Sequence, residues 1–210
     1  MTDTQNQTSP PAEPTKKPDR TWTIVASLFL AFWLVYLLFA APRRPGPIDL
    51  SGPGSPADFN WTLRDLNGAS LKFAKYEGKT VFLNIWATWC PPCVAEMPSI
   101  ARLASDPSLQ GKNIEFVCVA TDDEINTVRN FVRSKKWPMT ILHAEALPGA
   151  YLTEGIPTTF IIAPDGRVVS TTVGGREWDD PETVKSLQAV AAVPPKPPAV
   201  PAPPSEPPAT

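Results

Sequence analysis

The chain has 210 residues, a formal net charge of −2 and 27 prolines, and its basic residues are scattered along the sequence. Nucleic acid requires a clustered basic face, so this composition argues against a nucleic-acid partner. The length accommodates one membrane segment and one domain of ordinary size, and no internal repeat suggests a second domain.

Both ends of the chain have compositions typical of disordered tails. Residues 1–20 contain no aromatic residue and no apolar run, so they cannot bury enough surface to offset the entropy of ordering. Residues 193–210 are half proline, which removes backbone donors and favours extended polyproline II. We therefore expect the folded part of the protein to lie between these two tails.

A charge-free run predicts a membrane anchor at residues 21–42. A helix of that length spans about 33 Å, close to the thickness of the hydrocarbon core. A cleaved secretory signal is the alternative, but its apolar region is shorter and ends in small residues, where this chain has Leu38 and Phe39. Three basic residues precede the run and two follow it, so the positive-inside rule weakly favours a domain on the outer side.

The anchor is followed by a linker and then by one domain. Residues 43–56 are rich in proline and glycine, which predicts a semi-stiff, non-folding spacer. The domain, residues 57–192, opens with alternating apolar and polar residues around Asn67-Gly68, a strong hairpin pattern. Residues 80–87 form a nearly continuous apolar run, as a central strand buried on both faces requires.

The remaining elements alternate between helical and strand patterns. This alternation predicts an α/β domain with a parallel sheet core sandwiched between helices and finished by an antiparallel hairpin. The predicted elements are a helix at 93–104, a strand at 113–121, a helix within 122–137, strands at 140–144, 158–163 and 167–173, and a last helix that Asp180 and Pro181 begin.

Two cysteines stand at the junction of the central strand and the first helix of the domain, in the segment "WATWCPPC". A helix N-terminus offers unpaired N–H groups and a partial positive charge, which lower the pKa of a thiol placed there. Cys90 therefore has the position of a reactive cysteine, with the amides of Cys93 and Val94 facing its sulfur. Pro92 has the backbone angle that suits a helix start.

Other interpretations of the pair are open on these residues. A zinc site needs four ligands, and the chain offers only Cys118 and His143 besides the pair, both within predicted strands. A structural disulfide across two residues would constrain the unfolded chain little. Cys118 could be a third redox partner, but a small buried apolar residue is the better interpretation.

Three motifs carry a resemblance to a known family, and they occur in the same order: "WATWCPPC", the following "VAEMP" and the later "GIPTTFII". Through them the chain resembles the membrane-anchored thioredoxin-like proteins of the TlpA/ResA class, which are thiol-disulfide oxidoreductases of the bacterial cell envelope. The resemblance covers residues 57–192. It implies a thioredoxin fold with a mixed sheet and an N-terminal hairpin extension, Cys90 as the attacking thiol and Cys93 as the buried resolving thiol. It also implies a cis bond at Ile156-Pro157, facing the cysteines. Besides the redox-active disulfide Cys90–Cys93, we expect no metal and no cofactor.

The resemblance also assigns a role to an acidic residue. The TlpA/ResA class has a glutamate three residues after the second cysteine, and Glu96 stands there. One helical turn from Cys93, its carboxylate could carry the proton of that thiol. The alternative is a solvated glutamate in the first turn of the helix. Asn84 occupies the place of the buried aspartate of ordinary thioredoxins and cannot serve as a base.

A substrate surface is expected around the pair. A cis proline would expose the backbone of Ile156 to an extended substrate strand, whereas an ordinary trans proline would only end a loop. Trp86 and Trp89 are expected to pack around the disulfide, shield it and offer an apolar platform. Pro91 and Pro92, between the cysteines, complete the predicted substrate-binding set.

The sequence thus predicts an enzyme that exchanges a dithiol and a disulfide with protein substrates. By resemblance, it reduces cysteines during cytochrome c or oxidase assembly and receives electrons from a membrane thiol donor. The expected location is the bacterial cytoplasmic (inner) membrane, crossed once, with the domain on the periplasmic or extracytoplasmic side. The alternative is a copper(I) metallochaperone that binds the metal through the two thiolates, although no Met or His cluster lies nearby.

Overall fold

The computed structural model describes residues 20–40, 48–50, 54–122 and 124–196, with side chains up to residue 36 in the first range. The chain divides into two compact units, Met1–Arg44 and Pro45–Thr210. Nearly all of the two predicted tails lies outside the described residues.

The described part of the first unit is a helix, α1 (Arg20–Ala40), of 21 residues. Its large apolar side chains are exposed from Trp22 to Tyr36. Judged on the described residues alone, no helix combines the length and the apolarity that a membrane crossing requires.

Eight strands of the second unit form one mixed sheet, in the order β1-β8-β7-β4-β5-β6-β2-β3. β4 and β5 pair in parallel, as do β5 and β6, whereas β4 and β7 are antiparallel. This arrangement confirms the predicted mixed sheet and its N-terminal hairpin, which β2 and β3 form. The bounds are β1 Ser55–Pro56, β2 Thr62–Asp65, β3 Ser70–Lys72, β4 Thr80–Trp86, β5 Ile114–Ala120, β6 Thr140–His143, β7 Thr158–Ile162 and β8 Arg167–Val173.

Three further helices are α2 (Pro91–Ala104), α3 (Ile125–Val132) and α4 (Pro181–Ala191). α2 begins two residues before the predicted start, because proline is favourable in the first turn. α3 is shorter than the predicted segment, and a proline at position 138 disfavours helical backbone just before it. α4 begins as predicted, since the Asp180 side chain accepts hydrogen bonds from the second and third amides of the helix.

The three helices of this unit share one face of the sheet. Apolar residues of α2, α3 and α4 pack in a single core cluster with Phe82 and Trp86 of β4. The opposite cluster contains β4 residues such as Leu83 and draws on Phe73–Tyr76 and Gly149–Tyr151, two short 3-10 helices. We predicted α-helices on both faces of the sheet. That prediction is wrong for the face on which the second cluster lies, where short 3-10 helices pack instead. The β4-α2-β5 and β5-α3-β6 crossovers step in the same direction, so right-handed connections place both helices on the same side.

Part of the predicted linker joins the folded unit. Ser55 and Pro56 pair with Val168 and Arg167 of β8, and Ile48 is buried in the core cluster that contains residues of the three helices. Proline is compatible with β1 because an edge strand has one side without ladder hydrogen bonds.

Candidate active site

The cysteine pair joins the carboxyl end of β4 to the amino end of α2. Cys90 is the N-cap of α2, and its Sγ accepts a hydrogen bond from the Cys93 amide at 3.3 Å. The two sulfurs form a disulfide of 2.05 Å. Cys90 is 4% exposed and Cys93 is 0% exposed, so Cys90 is the sulfur nearer to solvent, as expected for the attacking thiol.

One predicted amide contact is wrong. The Val94 amide donates to the Cys90 carbonyl oxygen at 3.1 Å rather than to the sulfur. The carbonyl four positions before Val94 is that of the N-cap residue, Cys90, so the Val94 N–H makes the first hydrogen bond of the helical ladder. The Cys93 amide thus remains as the described backbone donor to the Cys90 sulfur.

The cis peptide predicted at Ile156-Pro157 is confirmed. The Ile156 carbonyl oxygen lies 3.7 Å from the Cys90 Sγ. The Pro157 carbonyl oxygen accepts a hydrogen bond of 2.8 Å from the Gly174 amide, in the loop after β8. Residues more than 60 positions apart in the chain, Cys90 and Ile156, therefore meet at one edge of the sheet.

The two tryptophans of the motif have different environments. Trp86 is fully buried in β4 and contacts the rings of Phe131 and Trp137. Trp89 is 68% exposed, so the prediction that it packs into the site is wrong, while its shielding of the disulfide stays a prediction. It lies in the turn beyond the strand, where the buried face of the sheet has ended. Pro91 and Pro92 are also exposed, so three apolar side chains face solvent beside Cys90.

Glu96 is 2% exposed, which excludes the solvated alternative. Its Oε1 accepts a hydrogen bond of 2.8 Å from Asn84 Nδ2. Its Oε2 accepts bonds of 2.9 Å from Trp178 Nε1 and 3.1 Å from the Arg176 amide. Burial raises the pKa of Glu96 above the ordinary glutamate value, and these hydrogen bonds oppose the rise. Glu96 lies one turn along α2 from Cys93 on the same buried side.

Asn84 supports this carboxylate from the central strand. Its Nδ2 also donates to Thr159 Oγ1 at 2.9 Å, and it pairs across the sheet with Thr159 on one side and Cys118 on the other. Burial, and the nearby Glu96, raise the pKa of the Cys118 thiol well above its ordinary value. Cys118 is therefore held as a buried neutral thiol, which disfavours a third redox role.

The loop after β8 contains site residues that the sequence analysis missed. Trp178 is fully buried, and its backbone amide donates to Ser99 Oγ of α2 at 3.1 Å. Gly175 packs so closely that a Cβ there would lie 3.1 Å from the Pro92 carbonyl oxygen. The two glycines and a lone tryptophan within the charged segment "GGREWDD" were the available indication of a packed loop.

A second missed residue is Asp122, two residues after β5. Its buried carboxylate accepts hydrogen bonds from the Thr88 amide, at 3.1 Å to Oδ2, and from the Thr88 hydroxyl. Its carbonyl oxygen accepts a bond of 2.7 Å from His143 Nε2. Thr88 stands two residues before Cys90, so its hydrogen bonds to Asp122 stabilise the turn that leads into Cys90.

No group of three His, Cys, Asp or Glu side chains within the described ranges is placed to hold a metal ion. The arrangement is suited to thiol–disulfide exchange. A sulfur at a helix N-terminus that is more exposed than its disulfide partner is suited to form a mixed disulfide, which the partner can then resolve.

Comparison with known proteins places this site in a family. A family model described as Redoxin matches residues 53–190. Thiol-disulfide oxidoreductase ResA of Bacillus anthracis is 36% identical over 117 residues, which cover 55% of this chain and 66% of that protein. The ResA protein of Bacillus subtilis (strain 168) is also 36% identical over 117 residues, covering 64% of its length. The chain thus spans slightly less than two thirds of these curated relatives.

Solved structures agree on the fold. A candidate thiol-disulfide oxidoreductase from Bacteroides vulgatus superposes with a TM-score of 0.58 and 27% identity, covering 67% of this chain and 97% of that one. A thiol:disulfide interchange protein of the thioredoxin family from Chlorobium tepidum TLS gives a TM-score of 0.52 and 25% identity over 65% of this chain and 98% of its own. The second unit therefore has a thioredoxin-like fold, and the chain belongs to the Redoxin family.

Proposed function

We propose that this protein is a thiol-disulfide oxidoreductase that exchanges the Cys90–Cys93 dithiol and disulfide with protein substrates. The observation that carries the proposal is the pair itself. Cys90 is the more exposed sulfur, caps α2, receives the Cys93 amide at 3.3 Å and lies 3.7 Å from the Ile156 carbonyl oxygen. These contacts place the more exposed of the two sulfurs beside a backbone acceptor that a substrate strand can also approach.

In the reducing direction, the reaction has two exchanges. The Cys90 thiolate attacks a substrate disulfide, whose S–S bond breaks as the mixed disulfide forms, and the first substrate sulfur leaves as a thiolate that takes up a proton. Cys93 then loses its proton and attacks Cys90 Sγ, which releases the second substrate sulfur. The substrate gains two electrons and the protein becomes the Cys90–Cys93 disulfide. A thiol donor must return the two electrons, and we propose that in the cell this donor is a membrane protein.

Glu96 is the proposed acceptor of the Cys93 proton. The carboxylate lies one turn from Cys93 on the buried side of α2, where water has little access. Burial raises its pKa, the direction that brings a carboxyl group nearer to the pH at which it exchanges protons efficiently. Its proton then passes to solvent after the resolved substrate leaves.

The proposed substrate surface consists of the Ile156 backbone and the exposed side chains of Trp89, Pro91 and Pro92. An extended substrate segment would pair with the backbone at Ile156, while the apolar side chains contact residues that flank its cysteine. None of these four residues is charged, which favours a substrate recognised by its backbone and by apolar neighbours of its cysteine.

The finer assignment is reduction of cysteines during cytochrome c or oxidase assembly at the bacterial cytoplasmic membrane. Its support is the resemblance to the TlpA/ResA class, the ResA relatives and the charge-free run of residues 21–42, which would anchor the domain on the periplasmic or extracytoplasmic side. No observation favours the copper(I) alternative.

Turnover and trapping test this function. Full-length protein in detergent, with dithiothreitol as electron donor, should reduce insulin disulfides and a disulfide-containing peptide bearing a cytochrome c cysteine pair. Cys93→Ser should accumulate a covalent complex through Cys90, whereas the matched variant Cys118→Ala should turn over normally. Persistent turnover in Cys90→Ser would refute the assignment of the nucleophile.

A further inference from the structure

Two side chains that bond to Glu96 differ in what they can do chemically. The Trp178 indole N–H lies 2.9 Å from Oε2 and can only donate. The Asn84 amide lies 2.8 Å from Oε1 and carries both a donor and an acceptor group. A donor-only neighbour stabilises the ionised carboxylate, whereas an amide can also accept from the protonated acid.

The indole is held rigidly against Glu96. Trp178 packs edge-to-face on Phe82, with ring centroids 5.0 Å apart. The Arg176 guanidinium lies 4.8 Å from the centre of the indole. The Trp178 amide is fastened to Ser99 Oγ, and that hydroxyl donates to the Glu96 carbonyl oxygen at 2.7 Å. The indole N–H therefore has no room to turn away when the carboxylate changes its charge.

The Asn84 amide has a second orientation available. Its Nδ2 serves both Glu96 and Thr159, while its buried Oδ1 has no hydrogen-bond partner among the described residues. When the amide turns over, Oδ1 faces the same two side chains, and both a protonated carboxyl and a hydroxyl can donate to it. Asn84 can thus pair with either protonation state of Glu96.

The other charged or titratable groups that face Glu96 come from three elements. Arg176, in the loop after β8, donates its amide at 3.1 Å and favours the ionised form by its charge, although Asp180 pairs with the guanidinium at 3.3 Å. β5 contributes the neutral thiol of Cys118. α2 contributes Cys93, which does not titrate while it is in the disulfide. In the oxidised protein, the indole is therefore a principal side-chain donor to the carboxylate.

We propose that Trp178 is a positioning residue that holds Glu96 in its ionised form, while Asn84 follows the proton by pairing with both forms of the carboxyl. In the reduced protein, Glu96 takes the proton from Cys93 Sγ, Asn84 turns to accept from the new carboxyl O–H, and the indole restores the ionised form when the proton leaves. This cycle rests on the proposed function. The effects of Trp178 and of Asn84 on the titration of Glu96 can be measured without turnover.

The test is a carbon-13 NMR titration of the Glu96 carboxyl in the oxidised full-length protein in detergent, with the resonance assigned by its loss in Glu96→Gln. Trp178→Phe should raise the titration midpoint by about one to two pH units, because a hydrogen bond to the charged form is lost. Asn84→Ala should shift it by less than half as much. The matched control is Trp61→Phe, which removes a buried indole donor to the Ala146 carbonyl oxygen and should leave the midpoint unchanged.

An unchanged midpoint in Trp178→Phe, or a larger shift in Asn84→Ala, would overturn the proposal. If Trp178→Phe does not fold, benzothienylalanine at position 178 replaces the indole N–H by sulfur while keeping the ring shape, and the same shift is required. The pH profile of mixed-disulfide decay should move with the titration. A shifted titration with an unmoved decay profile would refute the proton role of Glu96 in the proposed function and leave the assignment of Trp178 standing.

Discussion

Replacement of Glu96 by glutamine separates proton transfer from structure at this site. Glutamine keeps the length and the oxygen that the Trp178 indole and the Arg176 amide require, at the distances of 2.9 and 3.1 Å seen for Oε2. The atom in the place of Oε1 becomes an NH₂ group. It would then face the Asn84 NH₂ group, donor against donor, unless the Asn84 amide turns over. Because its Oδ1 is free of partners among the described residues, this adjustment is available and we expect Glu96→Gln to fold.

The expected kinetic effect falls on one step. Attack by Cys90 uses a thiolate that the Cys93 amide can stabilise, since that N–H lies 3.3 Å from the same sulfur in the disulfide form, and Glu96 takes no part in it. Resolution requires Cys93 to lose its proton inside a buried environment, since that residue is 0% exposed. Loss of a general base is worth about 10²-fold or more when the base acts directly. We therefore expect mixed-disulfide decay to slow by about 10²-fold, while its formation changes by less than about threefold.

Stopped-flow mixing of the reduced protein with a fluorescent disulfide peptide resolves the two phases. Wild type and Glu96→Gln are compared between about pH 5 and 9, the range over which a raised carboxyl pKa and a thiol pKa would both appear. Equal decay rates for the two proteins across this range would refute the proton role. Equal slowing of formation and decay would instead show that the variant disturbs the position of both cysteines.

Three further predictions concern the same edge of the sheet. In the reduced protein, iodoacetamide should modify Cys90 before Cys93, because Cys90 is more exposed and receives the helix amide; mass spectrometry of digested samples would show the reverse order if the roles are exchanged. Asp122→Ala removes the carboxylate that accepts hydrogen bonds from the Thr88 amide and hydroxyl, so the free energy of unfolding in urea should fall by about 1–3 kcal/mol. Thr88→Val should lower it by less, and an unchanged free energy of unfolding in Asp122→Ala would contradict the stabilising role of Asp122. Because burial raises the pKa of Glu96, the folded oxidised protein keeps a proton that the unfolded chain has released, so its stability should fall as pH rises from the ordinary glutamate pKa through the raised one. Urea unfolding at stepped pH should show this fall in wild type and lose it in Glu96→Gln, and an identical slope in both would contradict the raised pKa.

Short-range patterns in the sequence determined most of the elements and the cysteine chemistry. The apolar run of β4, the Asn67-Gly68 hairpin and the Asp180 cap each act through neighbours a few residues away, so periodicity and turn chemistry were sufficient to predict them. The Cys90–Cys93 spacing at a strand-to-helix junction likewise predicted a reactive pair.

The environment of each site residue was decided only by the tertiary structure. Glu96 and Trp178 are 82 positions apart, and Asn84 and Thr159 are 75 apart. From the sequence alone, Glu96 could equally be solvated. It is buried in the structure because the loop after β8 packs against α2 and contributes the Arg176 and Trp178 donors. Trp86 and Trp89 have the same side chain and lie three residues apart, yet one is buried and the other exposed, because β4 ends between them. Sequence patterns describe how a chain folds locally, but burial and hydrogen-bond partners depend on which distant segments the sheet register brings together.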